Sequence, residues 1–380
     1  MVSTRSLLAY GAFLVPLVAA ADPRLCNTGN EKLPESKFTL KEVENTYLAD
    51  LSQVFTSANK NVSVATVLDS ANRALSKKNP PLGSGKPVES WTWNSGDDAT
   101  TKWYPQGMTS SGDALASGKY DGHEAWIVTW YQKTDGKNVR LSFVDRASHK
   151  YRHVLLVEPT AKDNFKSVEI HAGGIMWYGD ALYVVDTHGG MRVFDLGNIW
   201  EVEDGEGVGK KSGGGYSADN YRYVVPEIRK YDWKALQPDS SFSFSWISLD
   251  RSDSPDTLLV GEYTTADSKD PIRLVKYALD YTTRKLKTTD GVATATFAHC
   301  VDILRMQGGY SLNNKFYLGR SNGENKGSDL FVWAPGSPAS MKSQWLMAGS
   351  EDFSYNPSRK EWYTITEHPD KRYIVAYKEL

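Results

Sequence analysis

From Trp91 to the C-terminus the sequence repeats itself five times, and this repeat limits the possible fold more than any other feature. Each copy opens on a short stretch with a polar or small-residue start: YPQGMTSSGD at 104, HAGGIMWYGD at 171, SFSWISLDRS at 243, MQGGYSLNNK at 306 and SEDFSYNPSR at 350. A second apolar run follows in every copy (EAWIVTWY, ALYVVDT, DTLLVGEY, KFYLGRSN, EWYTITEH), and then a third (VRLSFVDRAS, GMRVFDLGN, IRLVKYALD, DLFVWAPGS, RYIVAYKEL). The short period-two runs are those of strands. Fourth runs, YRHVLLVEP, YRYVVPEIR, ATATFAHC and KSQWLMAG, complete the first four copies, while the fifth ends at Leu380 without one. SWTWNSG, residues 90 to 96, can supply that strand from the other end of the chain.

Four antiparallel strands per copy, closed by pairing the two chain ends, predict an all-β fold: a five-bladed β-propeller with N-/C-terminal strand closure. Closure removes the edges that an open sheet would expose. A β-sandwich followed by a separate sheet is the alternative. The glycine-rich insertion at 203 to 220 also leaves the blade number open, because it has room for an irregular strand pair.

Ahead of the repeat, MVSTRSLLAYGAFLVPLVAAADPR has the arginine, short apolar run and small residues of a secretory signal peptide. It sets an expected leader at 1–20, a helical extension at 21–88 and the propeller domain at 89–380. The extension shows three- and four-residue apolar steps from Thr39 to Leu75, with Thr39 and Ser63 as candidate helix caps. No later segment reaches 18 apolar residues, so no membrane span is expected. In an oxidising compartment Cys26 and Cys300 can form a disulfide; the alternative is a buried thiol and a loose terminal one. Asn61-Val62-Ser63 is a glycosylation sequon. A net charge of -2 with scattered lysines argues against nucleic acid as a partner. The 12 Trp and 21 Tyr suit both sheet packing and stacking on sugars.

Strand polarity sorts the polar residues by face, because the start of strand one and the end of strand two share a rim. Tyr104, Gln106, His171, Arg305, Gln307, Glu351 and Asp352 stand at the start of first strands. Trp130, Tyr131, Asp186, His188, Glu262, Tyr263, Arg320, Asn322, Glu367 and His368 stand at the end of second strands. Singly, such groups commonly cap strand ends. Together they predict a site at one channel mouth, with His171, Asp186, Glu351 and Glu367 as acid–base candidates. Gln106, Trp130, Tyr131, His188, Glu262, Tyr263, Arg305, Gln307, Arg320 and Asn322 are the candidate substrate-binding residues. A metal held by His171, Asp186, Glu262 and Glu367 stays open, and the cofactor is unknown. The glycines of AGG and QGG let first strands crowd the axis, and no helix follows them as a phosphate loop requires. A Gly-x-Ser-x-Gly elbow is missing, which argues against acyl transfer through serine.

On the motifs YPQGMT, HAGGIMWYGDALYVVDTHGGMRVFDL, MQGGYS and SEDFSYNPSRKEWYTITEHPDKRYIVAY, the chain resembles an exported β-propeller family of fungal and bacterial proteins with no assigned reaction. The resemblance covers roughly residues 100 to 380. More distantly the chain is similar to sugar-acting propellers, glycosidases and polysaccharide lyases, whose catalytic motifs do not match here. Two readings follow: a secreted, monomeric carbohydrate-active enzyme, or a non-catalytic propeller that binds a glycan or another extracellular ligand. A metal-dependent esterase or lactonase is a third.

Overall fold

In the computed structural model, residues 24–134, 138–238, 242–265, 267–268 and 270–380 are described; the expected leader lies outside them. Strand pairing follows the repeat. Unit one is Trp103–Ser110, Ala125–Gln132, Val139–Asp145 and Lys150–Ala161, each antiparallel to the next. Unit two is Ile175–Tyr178, Ala181–Asp186, Gly190–Asp195 and Tyr223–Asp232, and unit three is Trp246–Asp250, Thr257–Gly261, Arg273–Ala278 and Val292–Cys300. Met306–Leu312, Lys315–Arg320, Asp329–Trp333 and Ser340–Lys342 make unit four. Its fourth strand therefore overlaps the expected KSQWLMAG only at Lys342. Ser350–Asn356, Glu361–Thr366 and Tyr373–Lys378 make the last unit, and Glu89–Thr92 pairs with Tyr373–Lys378, matching Trp91 to Ile374. The two ends of the repeat region thus share one sheet.

The core explains why these sheets form a ring. One apolar cluster joins units one and two, a second joins two and three, others join three to four and four to five, and a fifth joins five back to one. Inner strands such as Ala125–Gln132 and Glu361–Thr366 are buried along almost their whole length, because neighbouring units cover both of their faces. Trp126, Trp177, Trp246 and Trp362 are fully buried in these layers. Each such side chain contributes on the order of 2–3 kcal/mol through removal of apolar surface from water. The ring of face-packed sheets is that of a β-propeller.

First strands meet at the axis, where two glycines show why the repeat carries them. A Cβ on Gly174 would stand 2.6 Å from the Ile247 backbone nitrogen, and one on Gly308 would stand 2.8 Å from the Asp352 Cα. Both contacts are too close for any side chain. At that same axis Asp352 is completely buried. Its Oδ2 accepts the backbone N–H of Met108 (3.1 Å) and of Ile175 (2.9 Å), and its Oδ1 accepts that of Ile247 at 3.4 Å. One carboxyl of unit five therefore satisfies first-strand amides of units one, two and three.

The segment ahead of the repeat departs from its expected form. Thr39–Glu44 is a strand, not the first turns of a helix, and it pairs with the fourth strands of both unit two and unit three. Unpaired edge amides outweigh the weak helical periodicity of six residues. Helices follow at Leu48–Ser57 and Val64–Asp69, the latter capped by Ser63, whose side chain accepts from the Thr66 N–H. Arg73–Ala74 then pairs with the fourth strand of unit one. Cys26 is bonded to Cys300 on the fourth strand of unit three.

Replacing Asp352 with alanine would strand three buried amides, each worth about 1–3 kcal/mol when left unpaired. The expected loss is at least about 3 kcal/mol by chemical denaturation. Asp352→Asn, which keeps a carbonyl oxygen there, is expected to lose less; equal losses in the two variants would contradict the axial role.

Candidate functional site

Three first strands carry a β-bulge at the same place. The register slips between Pro105 and Met108, between Met306 and Gly308, and between Ser350 and Phe353. A bulge turns a side chain away from the alternation of its strand. The residues so placed are Gln106, Gln307, and the pair Glu351 and Asp352. In unit two the first strand begins only at Ile175, and His171 sits on its approach. The next residue, Ala172, adopts φ 54°, and Arg305 in unit four adopts φ 56°. Left-handed backbone at residues other than glycine costs of order 1 kcal/mol and gathers where function requires a fixed geometry.

These starts and the ends of neighbouring second strands surround a cleft of about 590 Å³ at the axis mouth. Gln106, Tyr131, His171, Asp186, His188, Tyr263, Gln307 and Glu367 line it. The structure thus brings together residues of all five units except the third's Glu262, with Tyr263 representing that unit.

Six of the candidate catalytic and substrate-binding residues stand elsewhere. Trp130 is fully buried, its indole N–H donating to Ser142 Oγ at 2.8 Å and its ring packed edge-on against Trp93, so it offers no face to a ligand. Its position one residue before Tyr131 on a strand turns it to the opposite side. Glu262 is buried and held by Arg273 through both oxygens, at 2.6 and 2.8 Å. Arg320 is paired with Asp329 at 2.6 Å, and Asn322 accepts from Arg305 Nη2 at 3.3 Å. These four groups and Arg305 lie off the cleft lining. Glu351 lies beneath the lining, with 1% of its surface exposed. Among the described residues no three His, Cys, Asp or Glu side chains are grouped closely enough to hold a metal ion, so the set His171, Asp186, Glu262 and Glu367 does not assemble.

Lys133, Glu169, Thr187 and Ser245 also line the cleft and escaped the sequence reading. Lys133 was legible in one respect: it follows Tyr131 by two residues, which keeps both on one side of an extended chain. Its ammonium sits 4.5 Å from the centre of the Tyr104 ring.

Electrostatics centre on Glu367 and Glu351. The Glu367 Oε2 accepts from Gln106 Nε2 at 3.0 Å, and its backbone carbonyl accepts from Arg372 Nε at 2.8 Å, with Arg372 itself fully buried. Burial holds the Glu351 carboxyl well above the usual range, reinforced by the charges of Glu367 and Asp352 and by hydrogen bonding to Glu367. Glu351 Oε1 finds no donor among the described residues. Burial beside other carboxyls thus favours the protonated form of Glu351. Around them, burial and then the Glu367 charge push the Tyr131 phenol up to about 12, and Tyr263 is raised in the same way by burial and then Glu351. Both phenols remain protonated donors. The His171 ring packs on Tyr131 with centroids 4.4 Å apart. Asp186 pairs with Arg192 Nε at 3.3 Å.

No protein-family model matches the chain, and no curated protein sequence does. Among solved structures it is similar to the GH43_1 enzyme from Xanthomonas citri complexed with xylose, at 9% identity and TM-score 0.35, covering 83% of this chain and 92% of that one. A thermostable family-43 glycoside hydrolase aligns at 10% identity and TM-score 0.37, over 73% and 89% of the two chains. The Myceliophteria thermophila Cps50 (Swd1) β-propeller domain aligns at 8% and 0.35, over 78% and 99%. Likeness this distant assigns no substrate and no residue.

The raised Glu351 has a consequence for stability. Above the ordinary glutamate range near 4.5 the unfolded chain gives up this proton while the folded chain keeps it. Its contribution is therefore full below that range and is lost as pH rises through the folded value. Glu351→Gln, which cannot titrate, is expected to unfold with a smaller loss of midpoint between pH 4.5 and pH 7.5 than wild type. The same pH slope in both proteins would contradict the raised Glu351.

Proposed function

We propose that this chain is an exported, five-bladed β-propeller that recognises a carbohydrate at the axis mouth and acts on it by proton transfer at Glu367. The five four-stranded units are read as its blades. The observation that carries the proposal is the acid pair: Glu367 faces a cleft walled by Tyr131, Tyr263 and His171, with the proton-holding Glu351 buried directly behind it. Flat, amphipathic rings stack on sugar faces, while Gln106, Gln307 and the two phenols donate and accept hydrogen bonds as hydroxyl-rich ligands require. A carboxyl supplied with a proton by a buried neighbour is suited to protonate a glycosidic oxygen as its bond breaks. Asp186, from unit two, is the carboxylate available to a water or to the sugar on the other side of the cleft. The leader at 1–20 and the sequon at Asn61 belong to the same reading, as does the Cys26–Cys300 bridge of an oxidising compartment.

Screening the purified protein on a glycan array, with product analysis of each glycan bound, tests the proposal. Glu367→Gln is expected to lower turnover by about 10²-fold or more while binding persists, the usual scale for losing a positioned acid. Tyr131→Ala is expected to weaken binding by about tenfold with a smaller effect on the chemical step. Binding without any product would leave a glycan-binding module, and turnover unchanged in both Glu367→Gln and His171→Ala would remove the assignment of catalysis to these residues.

A further inference from the structure

A second cavity, of about 260 Å³, gathers arginines from three separate stretches of chain. Arg73 comes from the segment ahead of the repeat, Arg140 and Arg152 from the third and fourth strands of unit one, and Arg222 from the connection leading to the fourth strand of unit two. Nothing in the cleft chemistry uses them. Four guanidinium groups this close repel one another, so their partners decide whether the cluster is a structural salt-bridge knot or a receptor.

The partners fall short. Asp97 lies beneath and serves Arg140 Nη2 at 2.9 Å and Arg73 Nε at 3.3 Å, so one carboxylate is shared by two cations. Asp97 also meets His153 Nε2 at 3.0 Å. Burial drives the His153 imidazole down to about 3, so it contributes no charge near neutral pH. Glu201 binds Arg222 at 2.9 Å but also binds Lys60 at 3.1 Å, which cancels its charge. Arg152 forms no salt bridge among the described residues; its Nη1 donates to the Ser70 carbonyl oxygen. Burial, followed by the charges of Arg222 and Arg73, lowers the Arg152 guanidinium, only partly offset by Tyr223 and Asp204. Arg140 is nearly fully buried, and its Nε has no hydrogen-bond partner among the described residues. Asp219 is the one acid in the lining itself.

The guanidinium groups are also held in place. Arg152 and Arg222 lie 5.5 and 5.3 Å from the centre of one ring, that of Tyr223, and Arg140 lies 4.6 Å from that of Trp103. Aromatic contact fixes the plane of a guanidinium while leaving its edge N–H groups to another acceptor. Planar donors arriving from three sides match a tetrahedral oxyanion better than a planar carboxylate, which one bidentate arginine satisfies.

We propose that this cavity binds a tetrahedral oxyanion, a phosphate or sulfate monoester borne by a larger ligand, at a site separate from the axis cleft. Inorganic phosphate and inorganic sulfate are the first probes, titrated by calorimetry and by thermal unfolding against chloride at matched ionic strength. The expected result is a saturable rise of the unfolding midpoint with one or both oxyanions and none with chloride. Arg152→Gln and Arg222→Gln are each expected to weaken the measured affinity by about tenfold or more, the scale of losing a charge-assisted hydrogen bond. Arg222 is exposed at the surface, so its variant carries the test if Arg152→Gln fails to fold. Glu367→Gln is expected to bind the anion as wild type does, which separates this site from the acid pair. A sugar phosphate and a sugar sulfate, compared at equal concentration, then identify the ester by which binds more tightly. No saturable response to either inorganic ion, or undiminished affinity in both arginine variants, would overturn the proposal.

Discussion

Asp352 fixes the relative height of the first strands. A ring of sheets packed face to face is held by apolar layers, and apolar layers alone permit neighbouring sheets to slide, since dispersion and hydrophobic burial have little directionality. The carboxyl at the axis removes that freedom, because it must meet amides of units one, two and three at once. A second knot works the same way further along the axis. Asp113 Oδ2 accepts from Thr109 and from Ser354, both at 2.7 Å, while Thr109 Oγ1 accepts the N–H of Trp177 at 3.0 Å, joining units one, two and five. Burial raises Asp113 to about 6. Gly174 and Gly308 beside the first knot are the necessary complement, since a Cβ on either would meet the backbone of a neighbouring first strand.

Outside the ring the problem is the reverse: fourth strands have edges. The segment ahead of the repeat acts as a belt over most of them. Thr39–Glu44 bridges units two and three, Arg73–Ala74 covers unit one, Glu89–Thr92 completes unit five, and Cys26 fastens the start of the belt to unit three. Unit four keeps a short edge, Ser340–Lys342, whose three residues are exposed and end in a lysine. Brevity and charge are the usual protection for an edge left open.

The repeat, the closure of the chain ends and the channel-facing glycines were legible because they are written in local pattern: period two, turn residues at fixed offsets, and small residues at one repeat position. The belt was not. Thr39–Glu44 has the apolar spacing of a helix start, and only the vacant edges of two distant strands make it extended. At the site, Gln106, Tyr131, His171 and Glu367 line one cleft, on the rim that strand polarity assigns to them, because strand polarity is a consequence of topology. It failed for Trp130 and Glu262, whose partners Ser142 and Arg273 sit on third strands and could not be matched before the pairing was known. It also missed the arginine cavity, whose residues are drawn from positions 73, 140, 152 and 222 with no common pattern.

The most informative juxtaposition is that Glu351 and Asp352 are neighbours in a single bulge. One side chain of the pair turns into the axis and binds the units together; the other turns toward Glu367 and keeps a proton at the cleft. A regular strand would send alternate residues to opposite faces and could not place two consecutive carboxyls in these two roles. The bulge therefore joins architecture to chemistry. The Asp352 charge also raises Glu351, so the group that aligns the strands helps to retain the proton at the site. Two buried acids in succession are costly for stability above the carboxylate range. The structure tolerates them because backbone amides satisfy Asp352 and because Glu351, raised by burial, is held in its protonated form.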